Sequence, residues 1–231
     1  MPPLEKLSVS DNLKQIFLEI GEEKEFAKDS MLFSEGEDAT HIYIVKAGLI
    51  KVGKLSQDGR EISIRLCREG DFVGEISLYS ELKRLLNAQV VKDSRILVID
   101  KKSLEEKLLK KSKLAIELIQ LMNDMSRRDQ MRIYDLISHG KKGALFSTLI
   151  RLSNSYGKIT EDGILIDMPL TNQEIANFCG KARESVNRSL NQLRKDQVIS
   201  IDKGFITIKD LEYLREEINC EVCPVGICTI H

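Results

Sequence analysis

The spacing of apolar and polar positions divides the chain into two halves. From about residue 30 to 100, apolar residues come in short runs cut by Gly36, Gly48, Gly53, Gly59, Gly70 and Gly74. EISIRL sets Ile62, Ile64 and Leu66 against Ser63 and Arg65, the period of two expected of a half-buried strand, and RILVID at 95–100 is a short apolar run. Asp58-Gly59 between such runs is a hairpin signal. Several short strands at this spacing predict a small antiparallel barrel or sandwich.

After residue 101 the pattern becomes helical. A short helix is predicted first, then a long one over about 113–138, with Gly140 just past its end as a stop. Leu118, Met122, Met125, Arg132 and Leu136 fall on a near-heptad stripe with Asp129 between them. Such a stripe on a connecting helix fits a dimer seam, and packing against the chain's own β-rich half accounts for it equally. Further on, ALFSTLIRLSNSYG predicts a helix, ILIDM a short strand, VISIDKGFITIKD a hairpin turning at Lys203-Gly204, and LEYLREEIN a last helix.

Between these lies LTNQEIANFCGKARESVNRSLNQL, residues 170–193. Thr171 with Glu174 forms a capping box and Leu170 with Ile175 a hydrophobic staple, so a helix starts here at a defined angle. Gly180 then breaks the chain into a tight turn. The next helix buries Val186, Leu190 and Leu193 and so turns Arg183, Glu184, Asn187, Arg188 and Asn191 outward. That set matches base edges: Arg gives guanine a bidentate donor pair, Glu accepts from cytosine, Asn pairs with adenine. With the following hairpin as a wing, the segment is expected to be a winged helix-turn-helix that binds double-stranded DNA.

The charge agrees with a local polyanion site. Net charge is only -1, yet residues 181–195 carry Lys181, Arg183, Arg188, Arg194 and Lys195 against the single acid Glu184. At 231 residues, 42% hydrophobic and 31% charged, the chain can bury two modest cores. No apolar stretch approaches the roughly 18 residues of a membrane span, and the first twenty residues lack the basic start and apolar core of a signal peptide, so the cytoplasm is the expected location. His41, His139 and His231 form no catalytic cluster with a nucleophile, and no enzyme is expected.

Five cysteines in a reducing compartment point to metal or redox chemistry rather than disulfides. Cys67 and Cys179 lie in apolar segments and are expected simply to be buried. Cys220, Cys223 and Cys228, spaced x2 and x4, can curl around one soft metal centre. Spacing alone leaves three readings open: zinc completed as Cys3His by His231, an iron-sulfur cluster with a fourth ligand from elsewhere, or a thiol-disulfide switch.

With a β-rich front half, a long central helix and the RESVNR recognition helix, the sequence resembles the CRP/FNR family of bacterial transcription regulators over nearly its whole length. The resemblance implies an α+β chain: an N-terminal jelly-roll, cyclic-nucleotide-binding-like β domain (1–105), a long dimerisation helix (106–139), a C-terminal winged helix-turn-helix (140–217) and the cysteine cluster (218–231). It implies a homodimer on a palindrome, with Arg183, Glu184 and Arg188 contacting bases and Asn187 a further candidate. Because Arg and Glu stand where the cyclic-AMP-binding branch has them, a TGTGA-type half-site is the expected target, and RNA polymerase is a further expected partner. GDFVGEISLY, residues 70–79, looks like the family's phosphate cassette around Gly74 and Glu75. The residues before Ala88 are RLLN, with Leu86 and Asn87 where an Arg-Ser pair would meet the phosphate, and Arg84 would need a different loop path. Cyclic AMP is therefore not expected, and the cassette is read as vestigial.

Within the family, the C-terminal Cys-x2-Cys-x4-Cys and the run HGKKGALFSTLIRLSNSYG resemble the Fnr proteins of bacilli. That likeness implies one [4Fe-4S] cluster per chain, held by Cys220, Cys223, Cys228 and a carboxylate at Asp135, with Asp129 the nearby competitor. It also implies oxygen-responsive control of anaerobic respiration genes, including those of nitrate use, through loss of the cluster in air.

Overall fold

In the computed structural model, which describes residues 9–138, 140–220 and 223–231, the four central residues of RILVID are all apolar because both faces of the strand are covered there. It lies in β6 (Asn87–Asp100), where Ile96 and Val98 face one core cluster and Leu97 and Ile99 the other. The sheet runs β1 (Gly21–Phe26), β6, β3 (His41–Leu55), β4 (Glu61–Cys67); β2 (Met31–Phe33) pairs with β6 and β5 (Phe72–Val73) with β3. All of these pairings are antiparallel.

The Asp58-Gly59 turn joins β3 to β4 as expected, with Gly59 at φ 79°. Alternation in EISIRL is broken, however: Ser63 is 2% exposed and Ile62 42%. The cause is a register shift between Val52 and Gly53, since a slip of one residue turns side chains to the other face. Gly48 (φ 104°) is required where β3 bends, because a Cβ there would sit 2.1 Å from Ser94 Oγ.

The chain forms two compact units that divide inside the long helix, one of residues 9–125 and one of Ser126–Ile230. In the first, α1 (Asp11–Ile20), α2 (Lys101–Lys110) and the start of α3 (Ser112–Ser138) pack on the sheet through Leu13, Phe17, Leu104, Leu108, Leu114, Leu118, Leu121 and Met125. Of the two readings of the stripe, packing against the chain's own β-rich half accounts for part of it. Leu118 and Met125 belong to the chain's own core, at 3% and 9% exposed, and Arg132 is buried in the second unit. The apolar residues that α3 leaves exposed are Ile116, Ile119, Met122, Ile133, Tyr134 and Ile137.

In the second unit Gly140 opens a helix rather than closing one: α4 runs Gly140–Tyr156. The long helix ends at Ser138, where the end was expected, but Gly140 does not cap it in the left-handed conformation that Gly180 adopts further on; it is itself helical. His139 lies outside the described residues. The four-stranded sheet orders β7 (Gly157–Thr160), β8 (Gly163–Ile166), β10 (Phe205–Ile208), β9 (Ile199–Asp202), so ILIDM is a strand only over its first three residues and β7 is an addition to the predicted elements. Helices α5 (Asn172–Cys179), α6 (Arg183–Lys195) and α7 (Leu211–Glu216) complete it. No helix among the described residues is long and apolar enough to cross a membrane.

Candidate nucleic-acid interface and metal centre

The helix pair is fixed by its own capping chemistry. Thr171 Oγ1 accepts from Glu174 N at 3.2 Å, while Thr171 N donates back to Glu174 Oε2 at 2.7 Å. Leu170 and Ile175 are both buried, and Gly180 ends α5 at φ 60°, ψ 33°. The chain re-enters at α6 with Val186, Leu190 and Leu193 buried beneath it. Arg183, Glu184, Asn187, Arg188 and Asn191 stand exposed on the opposite face. Among the described residues Arg183, Glu184 and Arg188 make no hydrogen bond or ion pair, so their donors and acceptors are available to a ligand. Asn187 is partly engaged: its Oδ1 accepts from Asn172 at 2.8 Å and from Asn191 at 3.4 Å. The hairpin turns at Lys203 (φ 47°) and Gly204 (φ 86°), the two left-handed residues of a tight turn.

The thiols are placed by two further turns. Asn219, left-handed at φ 45°, caps the end of the α7 segment and lets Cys220 N reach back to Arg215 O at 2.9 Å. Pro224 O accepts from both Ile227 N and Cys228 N, which folds the x4 loop back so that Cys228 approaches the other two thiols. One cavity is lined by Cys220, Cys223, Cys228 and Asp135, together with Tyr134 and Arg151. Neither Asp129 nor His231 lines it. Among the described residues no three His, Cys, Asp or Glu side chains surround a single point as ligands of one ion. The four donors border a shared cavity instead.

A residue outside the sequence motifs ties these donors together. Arg151, on α4 and 2% exposed, gives Asp135 Oδ2 two hydrogen bonds, from Nε at 2.9 Å and Nη2 at 2.6 Å. Its Nη1 donates to Ile227 O and Thr229 O of the tail at 3.1 and 3.2 Å. Asn154 and Ser155 on the same helix hold Cys228 O and Ile230 N. The signal was in the sequence: an arginine set among the apolar residues of ALFSTLIRL must be buried, and a buried charge needs a partner. Burial pushes the Cys228 thiol up to about 11, and burial followed by the neighbouring Cys223 and Asp135 raises Cys220. Cys220 and Cys228 are thus protonated near neutrality, and a metal would have to displace their protons.

Cys67 and Cys179 are buried, as expected. At the cassette, Glu75 accepts from Leu85 N at 3.2 Å. Arg84 does reach the interior of the roll. It lies 4.4 Å over the Phe33 ring and is 2% exposed, with its donors given to Glu75 O and His41 O. Its cation is thereby committed to the fold. Gly74, at φ 89°, leaves room for Phe33, which a Cβ would meet at 2.6 Å.

Two family models match this chain: the cyclic nucleotide-binding domain over residues 23–111 and the Crp-like helix-turn-helix domain over 144–217. The anaerobic regulatory protein of Bacillus subtilis (strain 168) is 48% identical over 224 residues, covering 96% of this chain and 94% of that protein. The CRP-like cAMP-activated global transcriptional regulator of Mycobacterium tuberculosis (strain H37Rv) is 26% identical, covering 82% and 85%. Among solved structures, FixK2 from Bradyrhizobium japonicum superposes with a TM-score of 0.73 at 20% identity, over 85% of this chain and 96% of that one. The chain therefore belongs to the CRP/FNR family of DNA-binding transcription regulators.

Proposed function

We propose that the protein is an oxygen-responsive, dimeric transcription regulator that binds a TGTGA-type palindrome while a [4Fe-4S] cluster is intact, and that it controls genes of anaerobic respiration. The observation that carries this reading is the single cavity bordered by Cys220, Cys223, Cys228 and Asp135, in the unit that also bears α6. These four side chains would hold the cluster, one per chain. When bound, it would supply an oxygen-labile link, because a hard carboxylate partners iron less firmly than thiolate does.

The chain's own residues connect the cavity to the reading helix. One turn before Asp135 on α3, Arg132 Nη2 donates to Phe178 O at 3.3 Å, near the end of α5 and just ahead of the turn into α6. A change in how Asp135 is held thus arises one helical turn from a contact that sets the approach to α6, and a small difference in affinity between two arrangements suffices to shift their populations. Dimerisation is supported by the exposed face of α3, where Ile116, Ile119, Ile133 and Ile137 keep a three-four spacing along the helix. The likeness to the anaerobic regulatory protein of Bacillus subtilis supports the proposed physiological role.

Purification under nitrogen followed by iron, sulfide and zinc analysis tests the assignment. About four irons and four sulfides per chain are expected for one cubane, with loss of both in Cys223→Ala and Asp135→Ala. Colourless protein carrying zinc, or Asp135→Ala with a full complement of iron, would overturn it.

A further inference from the structure

The cavity is organised by a residue that is no ligand. Arg151 gives four hydrogen bonds to two separate pieces of chain: Asp135 on α3, and the tail at Ile227 O and Thr229 O on either side of Cys228. Being 2% exposed, the guanidinium has no water to replace these partners, so its position and theirs are set together. Both bonds to Asp135 end on Oδ2, and among the described residues nothing donates to Oδ1. A carboxylate fixed through one oxygen and open at the other is arranged to bind a metal with the second, as outer hydrogen bonds commonly orient metal-binding carboxylates.

We propose that Arg151 is the positioning residue of this centre: it docks the three-thiol tail against α4 before any cofactor arrives, and it presents Oδ1 of Asp135 to iron. Docking follows from the bonds of the metal-free chain alone, whereas presentation rests on the iron-sulfur reading above. Three thiolates and a carboxylate bring four negative charges to the cavity, and Arg151 is the cation lining it. Lysine does not replace it, because an ammonium has three N–H donors where this site takes four.

Docking is measured on metal-free protein by iodoacetamide alkylation, read residue by residue by mass spectrometry. Arg151→Gln should speed labelling of Cys228 by about tenfold or more, since releasing the tail removes several buried hydrogen bonds. Buried Cys179 in the same unit should stay unlabelled, as the control for intact folding. Asp135→Asn, which leaves both carbonyl bonds in place, should keep Cys228 within about threefold of the parent rate. If Arg151→Gln also exposes Cys179, Arg151→Lys is judged by the same criterion. Cys228 labelling at the parent rate in a folded Arg151 variant would overturn the proposal.

Presentation is measured as iron retention against a chelator after anaerobic reconstitution with ferrous iron and sulfide. Arg151→Gln and Asp135→Asn should each speed iron loss, and the double variant should lose iron no faster than Asp135→Asn alone, because one residue acts through the other. Additive losses would refute it. Parent protein that takes up no iron would sink the cluster reading, while the alkylation result would still decide the docking role.

Discussion

Arg183 offers a sharp test of the reading face on α6. It is the first residue of the helix, exposed and without a partner among the described residues, so Arg183→Ala should move folding stability by no more than about 0.5 kcal/mol. If its guanidinium pairs with a guanine edge, losing the bidentate contact costs about 1–3 kcal/mol per half-site. A dimer on a palindrome loses it twice, about 2–6 kcal/mol, a weakening between about 30-fold and more than 10,000-fold. Fluorescence anisotropy with a labelled TGTGA-type palindrome and with a scrambled duplex, at one fixed salt concentration, separates the possibilities. The variant should lose the difference between the two duplexes while keeping its weak binding to scrambled DNA. Equal weakening on both would make Arg183 a phosphate contact, and an unchanged preference would refute its assignment as a base reader.

Other consequences follow from particular side chains. Leu118→Ala, at a fully packed position of the first unit, should lower stability by about 2–5 kcal/mol in urea unfolding without changing the association constant, whereas Ile119→Glu should leave folding intact and shift sedimentation toward monomer. Cys179 donates to Thr148 at 3.6 Å, and its burial holds its thiol up at about 11 against an ordinary value of 9.0. The folded state therefore keeps a proton that the unfolded chain releases, so this stabilisation is complete below about pH 9 and is lost toward pH 11. Relative to Cys179→Ala, the parent should lose about 2 kcal/mol over that window in parallel melts, and an identical pH profile for the two proteins would contradict it.

What the sequence made legible is what short-range chemistry dictates. The capping box at Thr171 and Glu174, the left-handed break at Gly180 and the buried i, i+4, i+7 set of α6 lie within a few turns of one another, and each appears as read. The Lys203-Gly204 turn is likewise decided locally by two left-handed residues. Errors arose where a second partner mattered. Helix α3 is apolar on more than one side, and periodicity cannot tell which stripe its own sheet will claim; the sheet took Leu118 and Met125 and left Ile116 and Ile119 outside. Ile62 and Ser63 exchange faces because β4 carries one extra residue, Ile64, between its pairings with Val52 and Gly53, and period-two alternation in EISIRL does not signal where such a bulge falls. Gly140 was read as a stop because glycine often ends helices, although only its backbone conformation decides.

The candidate centre divides along the same line. Its three cysteines announce themselves by spacing. Asp135 entered by resemblance alone, since a carboxylate on a helix is ordinary until the tail folds back over it. For Arg151 the apolar neighbours in ALFSTLIRL signal burial, but two of its partners are backbone carbonyls, which carry no sequence signal, so its role at the centre was not legible. Arg84 shows the converse case: a cation at the mouth of a familiar cassette, spent on carbonyls of its own fold.

The decisive measurement is DNA affinity of the anaerobically purified dimer before and after a brief exposure to air, with the visible spectrum followed in the same sample. Brown protein that binds the palindrome tightly, then bleaches and loses that affinity together, is the predicted result. Affinity that survives bleaching, or colourless protein that binds equally well in air, would leave α6 as a DNA reader and contradict the assignment of Cys220, Cys223, Cys228 and Asp135 as an oxygen-sensing centre.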